Sequence, residues 1–188
     1  MTTLRHSAPE LVVSDWLNVD NPITLAQHRG KVIVIEAFQM LCPGCVSHGL
    51  PQASQIAETF STDDVVVLGL HSVFEHHEAQ GTRIALEAFL HEYKIAFPVA
   101  IDAQIAGSHL PATMAAYELR GTPSLLLIDR QGQLRHNHFG SIPDLVLGVQ
   151  IMQLVGENAE TNGLGSSQAT ESSAGCSDDG WVIDQGND

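Results

Sequence analysis

The residues Cys42-Pro43-Gly44-Cys45 hold the most readily named chemistry in this chain. If they open a helix, the two thiols lie about one turn apart, within reach of each other. Unpaired backbone N–H groups and the helix dipole at such a start favour a thiolate on Cys42 and lower its pKa. A thiolate is the nucleophile of disulfide exchange. Cys42 would capture one sulfur of a substrate disulfide, and Cys45 would then attack the mixed disulfide and release the product. Pro43 suits the first helical position, where its missing N–H has no partner to lose. Gly44 leaves room for a substrate backbone. A structural zinc site would need two further ligands at suitable spacing, and the remaining cysteine, Cys176, lies in a weakly apolar segment.

A strand must deliver Cys42 to that helix start. Val32-Ile-Val-Ile-Glu-Ala-Phe38 reads as one, because β-branched residues dominate it and Glu36 is its only charge. From Pro43 to about Phe60, apolar residues recur at helical spacing (Leu50, Ala53, Ile56, Ala57, Phe60), with a kink expected at Pro51. Val65–Leu70 reads as a second buried strand and residues 82–93 as a second amphipathic helix. Phe97–Ile101 reads as a short strand or extended segment and 111–118 as a short helix. Ser124–Ile128 and Gln133–Phe139 read as a hairpin about the Asp129-Arg-Gln-Gly132 turn, and 142–155 as a last helix. Residues 1–30, interrupted by Pro9 and Pro22, read as irregular, and His76-His77 as part of a loop. The order β-α-β-α-β, hairpin, α predicts an α/β fold with a mixed central sheet flanked by helices in a three-layer α/β/α arrangement.

The 188 residues are enough for one domain with a full core, taken as 1–155. Residues 156–188 hold seven acids and no Lys or Arg, and half of the net charge of -14; they read as an acidic flexible tail. A surface this acidic repels phosphates and anionic lipid, so neither nucleic acid nor membrane is an expected partner. The N-terminus shows no apolar signal region, so a cytoplasmic location is expected. There thiols are kept reduced, and a close cysteine pair points to catalysis or metal binding rather than to a structural bridge.

The segment Glu-Ala-Phe-Gln-Met-Leu-Cys-Pro-Gly-Cys at 36–45 resembles the active-site segment of the thioredoxin superfamily. Gly30-Lys31 before the strand, and Arg120-Gly-Thr-Pro-Ser-Leu-Leu-Leu-Ile-Asp-Arg-Gln-Gly132 near its end, resemble the redoxin branch. That branch comprises the TlpA-like disulfide reductases and the peroxiredoxin-related AhpC/TSA proteins. The resemblance covers about residues 8–155. It implies a thioredoxin-like fold in which Pro123 is a cis-proline facing the cysteines, with Thr122 before it offering its backbone to a substrate peptide. It also implies that Glu36 is a buried acid with a raised pKa that accepts the proton of Cys45. The implied partners are a protein disulfide and an upstream dithiol reductant, with no cofactor. An antioxidant role also belongs to this branch. Two departures stand out. Leu41 replaces the Trp usual before the first cysteine, and Gln39 stands where peroxiredoxins carry Thr or Ser.

Two other readings compete with a dithiol oxidoreductase. One is a peroxiredoxin-like thiol peroxidase. The other is a copper- or zinc-binding chaperone on a thioredoxin fold, for which His48, His71, His76 and His77 are candidate ligands beside the thiols. Cys176 reads as an incidental thiol or an additional resolving one, and Trp181-Val-Ile183 as a docking element. The oligomeric state stays open between monomer and dimer.

Overall fold

The structure is a computed structural model, and it describes residues 6–157. The tail, with Cys176 and Trp181, lies outside the described residues. A seven-stranded sheet is ordered β1-β7-β6-β3-β4-β5-β2. The strands are β1 (His6–Ser7), β2 (Val13–Leu17), β3 (Val32–Phe38), β4 (Val65–His71), β5 (Val99–Asp102), β6 (Ser124–Ile128) and β7 (Gln133–Phe139). β3, β4 and β5 run parallel. β6 is antiparallel to β3 and to β7, and the outer strands β1 and β2 are antiparallel to β7 and β5. The sheet is therefore mixed.

Every residue of β3 and of β6 is buried, as expected of strands covered on both faces. Alternation then divides the core. Val32, Val34 and Phe38 face the layer built by α1 (Leu50–Thr59), α3 (Arg83–Glu92) and α5 (Asp144–Gly156), through Leu50, Ile56, Leu86, Leu90, Leu147 and Ile151. Ile33, Ile35 and Ala37 face the opposite layer. That second layer is thinner. It consists of α4 (Ala112–Ala116), a 3-10 turn at Leu25–His28 and the N-terminal segment, with Trp16, Leu25, Met114 and Tyr117 packed on the sheet. Among the described residues, no helix is long and apolar enough to cross a membrane.

Three local readings need correction. Residues 1–30 are not wholly irregular, since β1, β2 and the 3-10 turn lie there. Their pairing comes from the edges of β7 and β5, which local propensity does not report. The segment around His76-His77 is not all loop: α2 (His77–Gln80) follows His76, which sits at a positive φ of 53°. The helix after Cys42 does not simply kink at Pro51. A π-helical turn spans Cys45–Gly49, closed by the Leu50 N–H donating to the Cys45 carbonyl, and Pro51 falls in the first turn of α1. The wider turn absorbs the backbone bond that Pro51 cannot donate.

Candidate active site

β3 ends at Phe38, and the turn 39–41 carries the chain to Cys42 at the C-terminal edge of the sheet. Cys42 is partly exposed and Cys45 fully buried; both are free thiols. The Cys45 backbone N–H donates to Cys42 Sγ at 3.3 Å, which places a donor where a thiolate would carry its charge. The Cys42 thiol in turn faces the Thr122 carbonyl oxygen at 3.5 Å. The Cys45 and Cys42 side chains are also in hydrogen-bond contact. Burial, and then that contact with Cys42, push the Cys45 thiol up to about 12, so it is protonated at neutral pH. An outer thiol open to solvent thus stands before an inner one that keeps its proton.

The Thr122–Pro123 peptide bond is cis. Pro123 lies against the cysteine-bearing turn at two glycines. A Cβ built on Gly44 would meet Pro123 Cδ at 3.2 Å, and one on Gly49 would meet Pro123 Cβ at 3.1 Å. Glu36 points from β3 to the same spot, since a Cβ on Gly49 would fall 2.1 Å from its Oε1. The carboxyl is therefore sealed beneath the π-turn, 1% exposed, and Oε1 has no hydrogen-bond partner among the described residues. Burial first, and then the neighbouring Cys42 sulfur, hold its pKa well above the ordinary carboxylate value.

Cys42, Cys45, Thr122, Pro123 and Glu36 thus meet at one end of β3. The sequence reading missed Gly49, whose signal was a glycine inside an otherwise apolar helical pattern. The histidines do not gather with the thiols. His48 is exposed and bonded to Ser47. His71 is buried on β4 beside Phe38, with ring centroids 5.3 Å apart, and its Nε2 has no hydrogen-bond partner among the described residues. Among the described residues, no group of three or more His, Cys, Asp or Glu side chains could hold a metal ion.

The family model for the AhpC/TSA family matches residues 4–137. The chain belongs to the AhpC/TSA family. Among solved structures, this AhpC/TSA protein is similar to a thioredoxin-like superfamily protein, with 60% identity and a TM-score of 0.78, covering 80% of this chain and 97% of the other. It is also similar to a thiol-disulfide isomerase from Corynebacterium glutamicum, with 47% identity, a TM-score of 0.76 and the same coverage. The thioredoxin-like fold is thereby established. Protein DipZ of Mycobacterium bovis is 28% identical over 154 residues. That match takes in 80% of this chain, but the chain spans only 21% of the length of DipZ.

Proposed function

We propose that this AhpC/TSA-family protein is a thiol-disulfide oxidoreductase that reduces protein disulfides through Cys42 and Cys45. The Cys42 thiolate attacks one sulfur of the substrate; a Cys42–substrate disulfide forms and the other substrate sulfur leaves as a thiolate. Cys45 then loses its proton, attacks Cys42 Sγ and releases the second substrate thiolate. The substrate gains two electrons and, from solvent and Cys45, two protons, while the protein is left with a Cys42–Cys45 disulfide. A dithiol reductant restores the pair in a reducing compartment, which this reading takes to be the cytoplasm. Glu36, in its ionised form, is the proton acceptor for Cys45, and the Thr122 backbone ahead of Pro123 is the substrate-facing edge.

The observation that carries this reading is the asymmetry of the pair: a solvent-facing Cys42 and a sealed Cys45 with its pKa near 12. The likeness to a thiol-disulfide isomerase supports it. Insulin disulfide reduction by wild type, Cys42→Ser and Cys45→Ser tests it. Cys42→Ser should abolish turnover, and Cys45→Ser should accumulate a mixed disulfide detectable by mass. Activity that survives Cys42→Ser refutes the mechanism.

The family match favours one second reading, a thiol peroxidase. Cys42 would take an oxygen from a peroxide to give a sulfenic acid and an alcohol or water, and Cys45 would condense with it, releasing water. Peroxide-driven oxidation of Cys42 at a rate above that of a free thiol separates the two.

A further inference from the structure

Between Phe38 and Cys42 the chain has left β3 and not yet entered the helix, so the turn 39–41 lacks the ladder bonds of either element. Two glutamines supply what is missing. Gln80, the last residue of α2, is 1% exposed, and so is Gln39. Gln80 Oε1 accepts from the Leu41 N–H at 3.1 Å. Its Nε2 donates to Gln39 Oε1 at 3.0 Å and to the Glu75 carbonyl at 2.9 Å. Gln39 Oε1 also accepts from the Phe74 N–H at 3.2 Å. The orientation of each amide is dictated by its partners, because two acceptors face Gln80 Nε2 and two donors face Gln39 Oε1.

We infer that Gln80 is a positioning residue for the exchange proposed above, holding the turn 39–41 so that Cys42 and Leu41 face the substrate. Its grip falls one residue before the nucleophile, and the turn is closed by the Cys42 N–H donating to the Gln39 carbonyl at 3.2 Å. The clamp also sets the direction of the neighbouring side chains: Met40 is 8% exposed and turned inward, whereas Leu41 is 55% exposed beside Cys42. Packing alone would be better served by an apolar residue than by a buried amide that must satisfy every donor and acceptor. The site missed by the sequence reading is therefore carried by a four-residue helix distant in sequence from the cysteines.

The inference rests on the oxidoreductase reading, and its tests separate from it. In wild type, the Leu41 amide should exchange with deuterium more than about a hundredfold slower than in an unstructured chain, although its side chain stands in solvent. Less protection overturns the inference without any variant. In Gln80→Met, alkylation of Cys42 and kcat/KM for insulin reduction should fall about tenfold or more, below the melting temperature of both proteins. Gln104→Leu is the control: Gln104 Nε2 donates to the Val73 carbonyl at 2.8 Å, in the same 73–75 segment that Gln39 and Gln80 bond, and makes no hydrogen bond to residues 39–41 among the described residues. It should lower stability and leave both rates unchanged. A Gln80→Met protein that matches wild type in both, or a Gln104→Leu protein that loses as much, overturns the inference. If wild type fails to reduce insulin, the oxidoreductase reading falls, and amide exchange and alkylation still decide the role of Gln80.

Discussion

Gly49→Ala places two effects of opposite sign at one atom. Gly49 has helical dihedrals, φ -59° and ψ -55°, so alanine meets no backbone strain there and would gain about 1 kcal/mol of helix propensity. The added methyl, however, would stand 2.1 Å from Glu36 Oε1, 3.0 Å from Glu36 Cδ and 3.1 Å from Pro123 Cβ. A carboxyl on a surface would swing aside. This one is 1% exposed, with Pro123 closing one side, so either the carboxyl or the π-turn must shift. Overpacking of that kind costs roughly 1–3 kcal/mol and more at so short a contact, so it outweighs the propensity gain. The expected net loss is about 1–2 kcal/mol, or about 2–8 °C in Tm for a domain of this size. Glu36→Ala removes the obstructing atoms. In that background Gly49→Ala should be neutral or stabilising, giving a coupling of about 2 kcal/mol between the two positions. Urea unfolding of the four proteins measures it. Additive effects, or a Gly49→Ala protein within about 0.5 kcal/mol of wild type, would refute the placement of the Glu36 carboxyl under the turn.

Glu36 itself sets a pH dependence. Burial raises its folded pKa above the ordinary value of 4.5, so the folded state holds a proton that the unfolded chain has released. Stability therefore falls as pH rises above about 4.5, and Glu36→Gln should flatten that slope and be more stable than wild type at pH 7 in urea titrations. His71 works in the opposite direction. Burial lowers it from 6.5 to about 4, so its contribution is present above pH 6.5 and lost as pH falls toward 4. A shift of that size is worth about 3 kcal/mol, and His71→Phe should remove that part of the acid slope. Arg135 is 6% exposed and pairs with Asp129, 5% exposed, at 3.1 Å, and with Glu157 at 2.7 Å through Nη2. Arg135→Met removes the cation from Asp129 Oδ2, leaving the carboxylate, among the described residues, only the Gln131 and Gln133 N–H donors on Oδ1, and should lower stability by about 3 kcal/mol in thermal unfolding, whereas a loss under about 1 kcal/mol would show the pair to be solvated.

Much of the site was legible because its chemistry and its position share one short stretch. The run Val32–Phe38 is apolar enough to lie at the centre of the sheet, so Cys42 had to emerge at its end. Glu36 stood out as the only charge in that run. What stayed hidden depended on contacts between distant segments. Gln39 and Gln80 are 41 positions apart, and nothing in either local pattern marks them as partners. α2 is four residues long, too short for periodicity to reveal. The π-turn follows from Pro51 and from packing against β3, and a helical pattern read at 3.6 residues per turn cannot distinguish it from an ordinary helix.

The placement of β1 and β2 bears on how the chain is assembled. Both come from its first seventeen residues, yet they sit at opposite borders of the sheet, one against β7 and the other against β5. During synthesis each emerges before the strand it pairs with, β2 before residues 99–102 and β1 before residues 133–134, so neither can find its place until that partner exists. Without β1 and β2, both flanks of the sheet would expose unpaired backbone to other chains. Residues 6–17 work as a clasp over both borders, and removing them would leave a folded centre with two adhesive margins.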